Sequence, residues 1–390
     1  MAFGLLAPPG HAVAEGAQRD HASDLHLDQV VSGITGDRDD RDLLEALLFE
    51  RSRDVEVVHH RQDVFRDLED QSAWSALCGF SSSVREVLSH LAQAREMRVV
   101  EQRRAWALDG VSIYCGAVRS LAASLRDVPL RSAGMLGFRR YLDTYAGSEE
   151  FGHLDAETGE CKAALDSVTY CAQINGPRVT VTRYSDEPDY SEEIQAVFAR
   201  FRQGAVQSYL LEYRVWPGMT RVGEEILGLV VRLFPDEFAL LTTFSDRHPN
   251  FFDAGVHRFF RELQFFIAYR DYIDPLTAAG LVFCYPEVDE QSKNELVEET
   301  FDLALAKKRI TEGGEVVPND YRLEQGERIF VVSGPNQGGK TTFSRTFGQL
   351  HHLAALGVPV PGRRARLFLC DQIFTLFHRE EDSSLLAGKL

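Results

Sequence analysis

The stretch Gly334-Pro-Asn-Gln-Gly-Gly339-Lys340-Thr341 constrains this chain more than any other, because it fits the spacing G-x-x-x-x-G-K-[ST]. That spacing works in one local setting: a strand delivers the chain, glycines turn it, and a helix leads it away. Both flanks fit. Residues 329–332 form a short apolar run that reads as a buried strand, while Phe343, Phe347, Leu350 and Leu353 recur at helical spacing until Gly357. Glycines let successive backbone N–H groups turn inward around phosphate oxygens, and the helix N-terminus adds a favourable dipole. Lys340 is then placed to neutralise the β- and γ-phosphates of a nucleotide, and the Thr341 hydroxyl to ligate Mg²⁺.

Composition sets the frame around that loop. A chain of 390 residues with 44% apolar and 10% aromatic side chains holds two or three domains and excludes wholesale disorder. No run of eighteen apolar residues occurs, so no membrane span is expected, and residues 1–6 lack the basic flank of a secretory signal. The six cysteines are scattered without a C-x-x-C pair, the usage of thiols in a reducing cytoplasm. The net charge of −17 excludes a nucleic-acid binder that works mostly through overall charge, but not one with local basic surfaces.

Periodicity divides the chain into an irregular leader (1–23), a helical region (24–275) and an α/β unit (276–390). Asp24 is a candidate N-cap for a helix carrying Leu27, Val30, Val31 and Ile34, and further helical stripes follow through residue 125. Leu108, Val111, Cys115, Val118, Ala122 and Leu125 make a coiled-coil-like seam. Helical spacing returns over 191–215, 218–234 and 251–273, with Pro217 and Pro235 as punctuation. Two β-rich runs, 168–174 and 178–184, flank Asn175-Gly176 and predict a hairpin. After Pro275 come short strands at 281–285, 328–333 and 366–370. The fold class expected is a mainly α-helical array with a small β-hairpin insertion, followed by a partial α/β phosphate-loop domain.

Hydrolysis would need an acid at the end of a neighbouring strand and a group to orient water. Asp371 ends an apolar run, but Gln372 follows it in place of a second acid, so an ordinary turn aspartate is the simpler reading. The acidic cluster Glu380, Glu381 and Asp382 reads as a solvated turn. Only 50 residues follow Lys340, too few for a complete multi-strand ATPase sheet, so the chain is expected to stop inside its catalytic domain.

The residues from Gly334 to Thr342 resemble the phosphate loop of the MutS DNA mismatch-repair ATPases, G-P-N-M-G-G-K-S-T, with Gln337 where that family has methionine. Asp371-Gln-Ile-Phe-Thr375 is similar to the family's D-R-I-F-T segment, and Val317-Pro-Asn319-Asp320 to its nucleotide-pocket lead-in. The resemblance implies that Gly334, Pro335, Asn336, Gln337, Gly338, Gly339, Lys340, Thr341 and Thr342 bind ATP, with Thr341 on Mg²⁺. It implies a helical core, lever and clamp that binds duplex or mismatched DNA, and a homodimer or partner chain completing the ATPase site. The family's magnesium-binding acid and signature segments have no counterpart, so no catalytic residue is assigned and turnover stays open. Two other readings stand beside this one: a phosphate-loop ATPase acting on RNA or a ribosomal substrate, and a non-catalytic helical interaction module with an incomplete nucleotide site.

The remaining features have plainer readings. The aromatic run over 251–272 is core at helical spacing, and Phe260-Arg-Glu262 within it is packing. Arg178 and Arg183 on the hairpin could reach phosphates, although an edge hairpin is the simpler account. Arg363, Arg364 and Arg366 form a small basic patch, and the pairs His59-His60 and His351-His352 read as structural or surface.

Overall fold

The computed structural model describes residues 3–11, 20–175, 178–185, 221–324, 326–335 and 338–377. Its elements in chain order are α1 (Leu27–Thr35), α2 (Arg41–Phe49), α3 (Val55–Asp67), α4 (Gln71–Glu96), α5 (Val100–Leu125), α6 (Ala133–Ala146) and α7 (Glu149–Asp166). The hairpin β1 (Tyr170–Asn175) and β2 (Arg178–Arg183) follows, then α8 (Arg221–Leu233), α9 (Pro235–Arg247) and α10 (Ala254–Ala278). The last part holds β3 (Phe283–Cys284), β4 (Glu287–Asp289), β5 (Glu295–Thr300), α11 (Leu303–Thr311), β6 (Asn319–Leu323), α12 (Lys340–Leu356), β7 (Val360–Pro361) and β8 (Arg364–Phe368). The described chain is mostly helical with small sheets, and no helix in it is long and apolar enough to cross a membrane.

Two compact units share the chain. One comprises Met1–Cys78, Ala122–Asp143 and Ala254–Leu390, the other Gly79–Leu121 and Thr144–Asp253. In the second unit, Ser148 caps α7 by accepting from the Phe151 N–H at 3.2 Å. Glu157 on α7 then pairs with Arg247 and His248 at the end of α9. The hairpin forms in the register its turn demands, with Asn175 opposite Arg178 and Tyr170 opposite Arg183. Gly176 and Pro177 lie outside the described residues, as does the helix read over 191–215. Pro235 does more than punctuate: it occupies the first turn of α9, where a missing N–H costs nothing.

The core of the first unit is aromatic. Phe65 on α3 meets Phe265, Phe266 and Tyr269 on α10 at 4.8–6.3 Å, so the 251–272 run packs as expected. The described part of the leader has neither helix nor strand, yet it is not loose. Phe3, Leu5 and Leu6 are buried, Phe3 packs against Phe138 and Tyr141, and Glu262 accepts the Leu5 N–H. Asp24 does not cap α1 either. The helix starts after His26, which is left-handed at φ 55°, and the Asp24 carboxylate accepts from the Thr375 hydroxyl at 2.7 Å instead.

A four-stranded sheet in the order β4-β8-β5-β6 lies beside α12 in sequence; β4 and β8 run parallel, the other pairs antiparallel. The expected strands near 283 and 366 appear as β3 and β8. Residues 328–333 do not form one. A strand exists through its ladder, β5 is already flanked by β8 and β6, and no described strand pairs with this segment. It is extended but alternates faces: Phe330 packs inward on Tyr321 and Phe347, while Ile329 and Val331 are 80% and 87% exposed.

The far end of α12 is sealed by histidine. The buried His352 donates from Nε2 to the Leu48 carbonyl at 2.9 Å, and burial pushes its pKa from 6.5 down to about 3. Burial lowers His21 and His60 too. Below pH 6.5 the unfolded chain takes up protons that these folded imidazoles refuse, so stability falls with pH until about 3 is reached. His352 alone contributes a loss of about 2 kcal/mol between pH 6.5 and 5. Urea unfolding at pH 7.5, 6 and 5 should show this decline, and His352→Gln, which keeps a donor but cannot titrate, should flatten it.

Candidate functional site

Lys340 is the first residue of α12, directly after Gly339. Gly339 has φ 81°, a left-handed conformation, and nothing stands within 4 Å of where a Cβ would be. The backbone therefore demands glycine here, and crowding does not. The first helical bond runs from the Phe343 N–H to the Gly339 carbonyl at 2.9 Å, and no side chain caps the helix. The N–H groups of residues 340–342 thus have no partner within the helix, and the positive end of the helix dipole lies at Lys340. The Lys340 ammonium folds back over the loop and donates to the carbonyls of Gly334 and Pro335 at 2.8 and 2.6 Å. Asn336 and Gln337 lie outside the described residues.

This helix start opens on a cleft of about 530 Å³. Gly338, Gly339, Lys340 and Thr342 form one wall; Asp302, Leu305 and Arg309 of α11 supply another. Val316, Val317 and Asn319 close it from the segment that leads into β6. The structure therefore brings together the loop and the lead-in that sequence had singled out separately. Thr341 is exposed in the first turn and is not part of the wall, whereas Thr342 is. Asp371 is exposed and also lies off this cleft. Sequence reasoning passed over α11. Its signal was an aspartate ahead of an apolar helical run, and Asp302 does cap it, accepting from the Leu305 N–H at 3.0 Å.

A buried amide holds the two walls together. Gln349, three turns into α12, donates from Nε2 to the Leu25 carbonyl at 2.8 Å and to Asp302 Oδ1 at 3.0 Å. Its Oε1 accepts the Leu303 N–H at 2.9 Å. One side chain thus fixes the start of α11 against the body of α12, and with it the cleft width. The donors at this end of the cleft, the uncapped first-turn N–H groups of α12 beside an ammonium, suit a phosphate-bearing ligand. Arg309 offers a second cation, and the aliphatic Leu305, Val316 and Val317 offer an apolar surface for a ring.

No family model matches the chain. Over 179 residues, 46% of its length, it is 28% identical to the DNA mismatch repair protein MutS of Clostridium botulinum (strain Okra / Type B1). Over 81 residues, 21% of its length, it is 36% identical to the DNA mismatch repair protein MutS of Staphylococcus haemolyticus (strain JCSC1435). These matches cover 18% and 9% of the two relatives' own lengths. Part of this chain is related to MutS.

Replacing Gln349 by leucine would keep its volume but strand the Leu303 N–H, the Leu25 carbonyl and one bond to Asp302. The expected loss is about 3 kcal/mol, since each buried unpaired group costs about 1–3 kcal/mol. A urea titration of Gln349→Leu beside the parent chain checks it, and an unchanged midpoint would contradict the network's role.

Proposed function

We propose that this chain binds ATP with Mg²⁺ in the cleft around Lys340, and that it acts on DNA in the manner its MutS relatives are named for. The observation that carries the nucleotide reading is the uncapped start of α12, with the Lys340 ammonium beside it, opening on a cleft of nucleotide size. Gly334 to Thr342 would hold the phosphates, with Lys340 supplying the charge. A threonine hydroxyl of the first turn would meet Mg²⁺. Thr341 is the residue the family resemblance assigns, and its exposure leaves that oxygen accessible.

The DNA reading rests on the partial match to proteins named for DNA mismatch repair. A net charge of −17 means that any grip on DNA would be local, and the exposed hairpin with Arg178 and Arg183 is one such place. Pairing of subunits belongs to the same proposal. Ile329 and Val331 present apolar side chains that a strand from a partner chain would cover, completing the nucleotide domain.

Two measurements test the proposal. Titration of the chain with ATP and Mg²⁺ should give saturable binding, and Lys340→Ala should weaken it at least tenfold, about 1.4 kcal/mol. Unchanged ATP affinity in the folded variant would place the nucleotide elsewhere. Binding to a mismatched duplex should exceed binding to the matched one at fixed salt, and should weaken as salt rises. Equal, negligible binding to both would remove the DNA reading and leave the RNA, ribosomal and interaction-module alternatives.

A further inference from the structure

Helix α11 runs along one side of the cleft at Lys340, and its start is fixed. Asp302 meets Gln349 at 3.0 Å, so α11 begins against the third turn of α12, where Phe301 and Thr346 are buried. Leu305 and Arg309 follow three and seven residues after Asp302, on the face that lines the cleft. Arg309 thus stands about 10 Å along the helix from that anchor. Its side chain lies against the segment that leads into β6. The Cδ and Nη1 atoms are 3.3 and 3.7 Å from where a Cβ on Gly314 would be, and the Gly314 N–H donates to the Arg309 carbonyl at 2.8 Å. Glu315, Val316 and Val317, which come next, line the same cleft. The guanidinium is therefore held beside the aliphatic part of the site. It is exposed, and among the described residues it makes no hydrogen bond or ion pair, although Glu312 and Glu315 are near in sequence.

The aromatic side chains of this cleft are already engaged. Phe301 is 3% exposed and meets Phe283 edge-on at 5.6 Å, while Phe343 packs against Tyr321 and Phe330. Leu305 and Val317 are 39% and 77% exposed, which is apolar surface for a ring to cover, but neither side chain is flat. A guanidinium is flat, weakly hydrated and positively charged, and it stacks on π faces as an ammonium does not. With no acid paired to it, that of Arg309 keeps its faces for a ligand. We propose that Arg309 stacks on the base of the nucleotide whose phosphates meet Lys340 and the first turn of α12. This inference rests on the nucleotide reading of the cleft and divides its two cations: Lys340 serves the phosphates, and Arg309 serves the ring.

The test titrates the 390-residue chain with two probes: ATP with Mg²⁺, and magnesium tripolyphosphate, which carries phosphates but no ring. Lys340→Ala should weaken both. Arg309→Ala, at an exposed position, should weaken ATP roughly fivefold or more beyond any loss for tripolyphosphate. Arg309→Lys keeps the charge but loses the plane, so it should not restore ATP binding. Equal losses for the two probes, or full rescue by lysine, would make Arg309 a phosphate cation and overturn the stacking. ATP binding that depends on Lys340 but not on Arg309 overturns this inference and leaves the nucleotide reading standing. No ATP binding by the parent chain overturns both.

Discussion

A single buried guanidinium ties the first unit together. Arg61 on α3 is 2% exposed, and its hydrogen bonds go to carbonyls: Nε to Leu6 at 2.7 Å and Nη1 to Leu356 at 3.1 Å. It also lies over the Phe265 ring on α10 at 5.7 Å. One side chain therefore joins the leader, α3, α10 and the end of α12. Burial disfavours its charge and lowers its pKa from 12.5 to about 10. At neutral pH the guanidinium still holds its proton, so the fold must supply acceptors at these positions or lose several kcal/mol. The left-handed Gly357 ends α12 and Arg61 holds that end by the Leu356 carbonyl, and a helix pinned at its C-terminus carries its N-terminus with it.

The position of Lys340 follows from what α12 touches along its length. The Ser52 N–H bonds the Ala355 carbonyl at 2.9 Å, His352 reaches Leu48, and Gln349 reaches Leu25 and Asp302. Gly348 lies against Leu25, where an added Cβ would stand 2.6 Å from Cδ2, so the helix approaches the turn before α1 as closely as glycine allows. About two turns of the helix, over residues 348–355, are thus held by buried polar bonds and tight packing, while its first turn is left to the loop. This is the division of labour a binding helix requires: rigidity behind, open N–H groups in front.

Much of this was legible in the sequence because it depends on local rules. Period-3.6 stripes found α1 to α5, α8, α10 and α12 but not α6, α7, α9 or α11, Asn175 located the hairpin, and Gly339-Lys340 located the loop and the helix start. The misreadings have a common cause. Asp24 looks like an N-cap, but its carboxylate serves Thr375, 351 residues away in sequence. The leader looks loose because its three apolar anchors have no period, yet Phe138, Tyr141 and Glu262 give them partners. His351, expected to be structural or surface, is indeed buried and structural, but its partner Glu295 lies 56 residues away, where no local pattern points to it. Long-range pairing of single residues leaves no local trace.

The run over 329–332 shows the same limit from the other side. Its composition is that of a central strand, and its alternation is real, since Phe330 turns in and its neighbours turn out. What it lacks among the described residues is a ladder, so the segment that feeds the loop is positioned by ring packing. Phe330 meets Tyr321, Phe343 and Phe347 at 5.5–6.3 Å, and Phe347 in turn meets His351 at 4.5 Å. Aromatic pairs contribute about 0.5–1.5 kcal/mol each beyond their buried area. Phe343 lines the cleft at Lys340, while Phe347 and His351 line a second cavity of about 550 Å³. The same cluster that holds the loop's approach therefore borders both cavities.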